Sequence, residues 1–146
     1  MWRRDRERRA APSWGPTRGK TRVLVEARDG ADGWACEQIL ERRGYEVAIC
    51  PGPESGRIPC PVLEGNDCPA ARGADLIVSL LNLSHAPSRT VVRALGAMRP
   101  AKPIVIEVSD EDRIRNTDLV ARTTALDAPV LGTQLSRAVD EALAAR

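Results

Sequence analysis

The sequence predicts a doubly wound α/β domain: a five-stranded parallel sheet in the order 2-1-3-4-5, with helices on both faces. Three observations predict it. Short runs of branched apolar residues recur along the chain, stretches of helical period lie between them, and glycine or proline punctuates most joins. The first strand, helix and second strand follow one another within about thirty residues, the length of a parallel crossover, which closes right-handed.

Residues 21–27 (TRVLVEA) form an apolar run just long enough for a strand. A polar turn follows at Arg28, Asp29 and Gly30, after which Trp34, Ala35, Cys36, Ile39 and Leu40 fall at helical spacing. Arg42 and Arg43 put cations in the last turn and Gly44 lies just past it, a common way for a helix to stop. Residues 45–50 (YEVAIC) read as the second strand. Pro51, Pro53, Pro59, Pro61 and Pro69, with Gly52, Gly56 and Gly65, forbid a long helix over 51–72, so an irregular Cys- and Pro-rich segment replaces the second helix. Residues 75–81 (DLIVSLL) are nearly all apolar, as expected of a strand covered on both faces. Residues 88–98 are helical, with Val91, Val92, Leu95 and Met98 on one side. A fourth strand is expected at 103–108 (PIVIEV), a polar helix at 110–122 and a short fifth strand at 129–131 (PVL). The closing helix spans 135–145, where Leu135, Val139 and Leu143 repeat at i, i+4 and i+8.

At 146 residues the chain fits one domain over 21–146, preceded by a basic disordered leader over 1–20. A chain of this length buries roughly two-thirds of its unfolded surface, so its core needs neither disulfide nor metal. There is no Phe, which leaves few stacking platforms for bases or flavins. The net charge of +2 hides an asymmetry: residues 1–22 carry eight Arg or Lys against Asp5 and Glu7, a net of +6, and the rest therefore carries −4. A leader this short offers few phosphate contacts, so the expectation is a solvated arm and not a nucleic-acid grip. No apolar segment approaches the length of a membrane span or a signal-peptide core. A cytoplasmic location with reduced cysteines is expected, and no membrane partner.

The segments RVLVEARDGADGWACEQILERRGYEVAIC, ADLIVSLLNL, KPIVIEVSDED and APVLGTQLSRAVDEAL resemble the receiver domains of bacterial response regulators, within the flavodoxin-like fold. The resemblance covers residues 21–145 apart from 51–72. Receivers hold Mg²⁺ with an acidic pair after strand 1 and take a phosphoryl group on an Asp ending strand 3. A hydroxyl residue after strand 4 and a Lys after strand 5 complete the site. By position, the resemblance puts the acidic pair at Ala27 and Arg28, with Asp29 beside them, and the phosphoacceptor at Leu80, with Asn82 two residues on. It puts the hydroxyl at Val108 or Ser109 and the Lys at Gly132. Mg²⁺ needs hard oxygen ligands, a guanidinium opposes a cation, and neither Leu nor an amide forms an acyl phosphate. The resemblance therefore implies a degenerate receiver: a non-enzymatic signalling domain that meets a protein partner or a second copy through its last two helices, 110–122 and 135–145.

Other residues admit other chemistry. Glu26 and Glu107 stand near the carboxyl ends of strands 1 and 4, and are expected to be solvated there because buried, unpaired Glu is rare. Cys50, Cys60 and Cys68 each precede a proline. The reading favoured for them is packing of the Pro-rich segment on the sheet. A reversible disulfide, a zinc site completed by His85, and haem ligation through a Cys-Pro pair are the alternatives, so a thiol-based redox, metal or haem sensor competes with the interaction domain. Cys36 is expected in the core. Cys50 and Arg57 stand one residue too far apart for a cysteine-phosphatase loop, and Pro51 and Pro53 remove amide donors from it. A third reading is a small-molecule binder at the carboxyl edge of the sheet, near Glu26, Asp29 and Asn82.

Overall fold

The computed structural model describes residues 12–16, 19–28, 30–55, 59–130 and 132–146. The branched run after Thr21 forms β1 (Arg22–Glu26), which lies between β2 (Glu46–Cys50) and β3 (Leu76–Ser79). β4 (Ile104–Val108) and β5 (Thr124–Asp127) complete a parallel sheet in the order β2-β1-β3-β4-β5. The crossovers carry α1 (Gly30–Arg42), α2 (Pro69–Gly73), α3 (Ala86–Gly96), α4 (Asp110–Arg115), α5 (Thr117–Arg122) and α6 (Gly132–Ala144).

Alternation along the strands divides the core in two. Val23, Val25, Leu76, Val78 and Val105 face Cys36 and Leu40 of α1 and Leu135, Ala138 and Val139 of α6. Leu24, Ile77, Ile104 and Ile106 face Ala70 and Ala71 of α2, Val91, Val92 and Leu95 of α3, and Leu119 of α5. Each large apolar side chain buried in this way contributes about 2 kcal/mol. The second face is thinly covered. Among its described residues, the segment between β2 and β3 supplies a single 3₁₀ turn (Pro53–Ser55) and the five residues of α2, whose buried side chains are alanines.

Four boundaries differ from expectation. The fifth strand is Thr124–Asp127 and not 129–131, where Pro129 and Val130 are loop and residue 131 lies outside the described residues. This edge strand is only half covered, so it needs no apolar run to announce it. The helix expected over 110–122 breaks in two at Asn116, whose ψ of 47° is not helical. α3 starts at Ala86, because Pro87 can occupy the first turn without losing a needed amide. α6 begins at Gly132, three residues before the expected start. On α1, Cys36 and Leu40 are buried, whereas Trp34 is 61% exposed.

Most of the leader lies outside the described residues, but Trp14 docks on the domain and is not solvated. Its Nε1 donates to the carbonyl of Ala70 at 2.8 Å, and the Arg22 guanidinium stacks 5.4 Å from its ring centre. A Cβ on Gly73 would stand 2.5 Å from Trp14 Cδ1, so the absence of a side chain there admits the indole. No described helix is long and apolar enough to cross a membrane.

Candidate functional site at the carboxyl edge

Strands β1, β3, β4 and β5 all end at one edge, and a hollow of about 240 Å³ opens there. Ala27, Arg28, Leu80, Asn82 and Ser109, the positions that the receiver resemblance points to, all line it. Asp29 lies outside the described residues. Gly132 does not reach this hollow. It opens α6 and lines an adjoining one with Cys36, Leu80, Glu107 and Leu135. Because β5 ends at Asp127, the residue from that strand's exit that lines the hollow is Ala128, which the sequence reading missed. Asp32, Glu107 and Asp112 line it as well. Of these, Asp112 had a visible signal: it follows Ser109 by three residues, the spacing of a capping box.

The polar groups of the hollow are mostly committed to local structure. Ser109 caps α4: its hydroxyl accepts from the Asp112 amide at 3.1 Å, and Asp112 Oδ2 accepts from the Ser109 amide at 3.3 Å. Glu107 Oε2 accepts from the Val130 amide at 3.0 Å. Asn82 Oδ1 accepts from the Ser84 amide at 3.0 Å. Arg28 donates to Glu54 of the 3₁₀ turn at 2.9 Å, which holds a cation at the mouth. At the acidic-pair and phosphoacceptor positions, the described side chains give Mg²⁺ no oxygen. Ala27 offers a methyl, Leu80 a half-buried hydrocarbon and Arg28 a positive charge, where a hard divalent cation needs several oxygens. Among the described residues, no three His, Cys, Asp or Glu are grouped to hold a metal.

The three Cys-Pro cysteines come together elsewhere, on the thinly covered face. Cys50, Cys60 and Cys68 line one cavity of about 220 Å³, and all three are free thiols. Burial, outweighing a hydrogen bond from the Gly52 amide, pushes Cys50 up to about 12. Burial likewise raises Cys68 against the pull of the Ala71 and Ala70 amides. Protonated thiols of this kind are weak nucleophiles. His85 is not beside them: it stands at the start of α3, with Nδ1 2.9 Å from Ser88 Oγ.

Glu26 corrects the expectation of a solvated strand end. It follows Leu24 on the same face of β1 and sits in register between Cys50 of β2 and Ser79 of β3. A strand flanked on both sides and roofed by the Cys-Pro segment leaves its last residue dry, and Glu26 is only 4% exposed. Burial pushes its carboxyl up to about 7, against a smaller opposing pull from the nearby Ser79 hydroxyl. Within hydrogen-bonding range neither Glu26 Oε1 nor Ser79 Oγ has a partner among the described residues.

No protein-family model matches the chain, and no curated protein sequence matches it. Solved structures do. A response regulator receiver domain from Clostridium thermocellum superposes with a TM-score of 0.65 at 16% identity, covering 86% of this chain and 95% of that one. A CheY-like receiver from Methanospirillum hungatei JF-1 gives 0.61 at 20% identity, covering 87% and 96%. The regulatory domain of the repressor of iron transport regulator, in its inactive form, gives 0.63 at 21%, covering 88% and 98%. At these identities the likeness establishes the fold: the chain has the receiver architecture of response regulators.

Proposed function

We propose that this chain is a receiver-like signalling domain that acts through protein contact and not through phosphoryl transfer. The observation that carries the reading is Leu80. It stands just past the end of β3, where the resemblance puts the phosphoacceptor, and presents hydrocarbon to the hollow. An acyl phosphate forms only on a carboxylate oxygen, and a side chain without one cannot be the nucleophile. Arg28, held by Glu54, adds positive charge where receivers gather Mg²⁺ ligands. Support for a contact face comes from α4, where Ile114 is 78% exposed among charged neighbours, on the face expected to meet a partner or second copy.

The test is intact mass after incubation with acetyl phosphate and Mg²⁺. The expected result is an unchanged mass, and a stoichiometric gain of one phosphoryl group, lost again on mild alkaline treatment, would overturn the reading. Sedimentation of the wild type against Ile114→Lys then examines the contact face. Self-association weakened by the variant supports a homodimer there. Unchanged self-association removes α4 from the interface.

A further inference from the structure

The cavity beneath the Cys-Pro segment exists because of a missing helix. In a doubly wound domain a full helix normally covers Leu24 and the flank of α3. Among the described residues, Ala70 of α2, Val62 and a run of prolines do so, and they leave a cavity against Leu24, Val91 and Leu95. The walls are almost wholly apolar, and the prolines among them have no amide to donate. One acid, Glu26, lines this space. It is more than nine-tenths buried, and its Oε1 has no hydrogen-bond partner among the described residues. Among the described residues, no Lys, Arg or His lines the cavity. An apolar chamber with a single unmatched acceptor and no cation rejects an anionic guest and has one specific use for a donor.

We propose that this cavity is a binding site for a compact apolar molecule of one or two rings, carrying one nitrogen hydrogen-bond donor directed at the Glu26 carboxyl. Size fits that class: an engineered apolar cavity of about 150 Å³ admits benzene, and this one measures about 220 Å³. Charge fits it too. A neutral N–H or a protonated amine offers the Glu26 carboxyl a proton, while a carboxylate or phosphate would stand against Glu26 with no cation among the described lining residues to offset it. The thiols of Cys50, Cys60 and Cys68 add polarisable surface, which favours aromatic rings. Occupancy would fill the face of the sheet beside α3 and so couple a small molecule to the packing of the domain.

The test is a titration of the full chain followed by ¹H–¹⁵N correlation spectra, with indole as the donor-bearing probe and indene as its near-isostere without the N–H. Indole is expected to saturate, with shifts centred on the amides of Ala70, Val91 and Leu95. Indene is expected to bind about tenfold or more weakly at pH 8, where Glu26 is ionised, the value of one hydrogen bond to a charged acceptor. Glu26→Leu should bring the two probes to equal affinity. Cys60→Trp, at the cavity wall, should block both while leaving the dispersed spectrum of a folded domain. Absence of saturable binding, equal affinity of the two probes for the wild type, or undiminished indole binding to Cys60→Trp overturns the proposal. None of these outcomes depends on whether the chain accepts phosphate.

Discussion

Burial of Glu26 has a measurable consequence for stability. Its carboxyl rises from 4.5 to about 7 on folding, because the dry end of β1 disfavours the charged form. The folded protein therefore holds this proton more tightly than the unfolded chain does. The stability that goes with it is fully present below about pH 4.5 and is lost as the pH rises through about 7. At about 1.4 kcal/mol per tenfold change in acidity, the loss across that window approaches about 3 kcal/mol. Glu26→Gln keeps the shape and stays neutral, so it removes the slope. At pH 8 the variant should be more stable than the wild type by about 2–3 kcal/mol, and near pH 4.5 the two should agree to within about 1 kcal/mol. Asp67, Asp118 and Asp140 titrate below their ordinary range, held down chiefly by hydrogen bonds from Arg72, Arg93 and Tyr45, so they act at the acid end, while Glu37, raised by burial and by the Glu41 charge, is common to both proteins and cancels in the comparison. Urea unfolding followed by tryptophan fluorescence, at several pH values for both proteins, gives the numbers. Parallel stability–pH curves for the two would refute the reasoning, since they would mean that Glu26 is ionised in the folded protein at no cost.

Other perturbations follow from the same structure. Trp14→Ala removes an indole packed on α2, its hydrogen bond to Ala70 and its stacking with Arg22, and should lower stability by about 3 kcal/mol in thermal or urea unfolding. Gly52→Ala meets both a positive φ of 76° and a Cβ 2.4 Å from Leu81 Cδ2, whereas Gly44, at φ 91°, opens into free space. The first substitution should cost about 3 kcal/mol and the second about 1 kcal/mol, and equal losses would count against the close approach at Gly52. Cys36, raised to about 11 by burial and the nearby Asp32 and Glu107 charges, and Cys50, raised to about 12, should alkylate slowly with iodoacetamide at pH 8 in the folded protein and rapidly in urea. Mass spectrometry of the digested product reads each site separately, and fast labelling of either thiol in the fold would contradict its burial.

The legible and illegible parts of the chain separate along physical lines. β1, α1, β2 and β3 were readable because each buries its pattern within its own few residues: branched runs for the strands, and Cys36 and Leu40 one turn apart on the helix. β5 was not. Thr124–Asp127 is an edge strand with half-covered side chains, so its apolar signal is weaker than that of the neighbouring loop at Pro129 and Val130. That single displacement also moves the position after β5 from Gly132 to Ala128, while Ala27, Arg28, Leu80, Asn82 and Ser109, positions taken from the resemblance, line one hollow. Glu26 is buried where a solvated strand end is expected, because the segment between β2 and β3 folds over β1, a contact between parts of the chain that no local periodicity records.

The central claim is that the carboxyl-edge hollow does not take a phosphoryl group. It is tested most directly by ¹H–¹⁵N correlation spectra recorded with Mg²⁺ alone and with Mg²⁺ plus beryllofluoride, a phosphoryl mimic that binds carboxylates. The account predicts no saturable shift at the amides of Leu80, Leu81, Asn82 or Ser109 under either condition. Saturable, Mg²⁺-dependent shifts at those four amides would contradict it and make the hollow a working phosphoryl site.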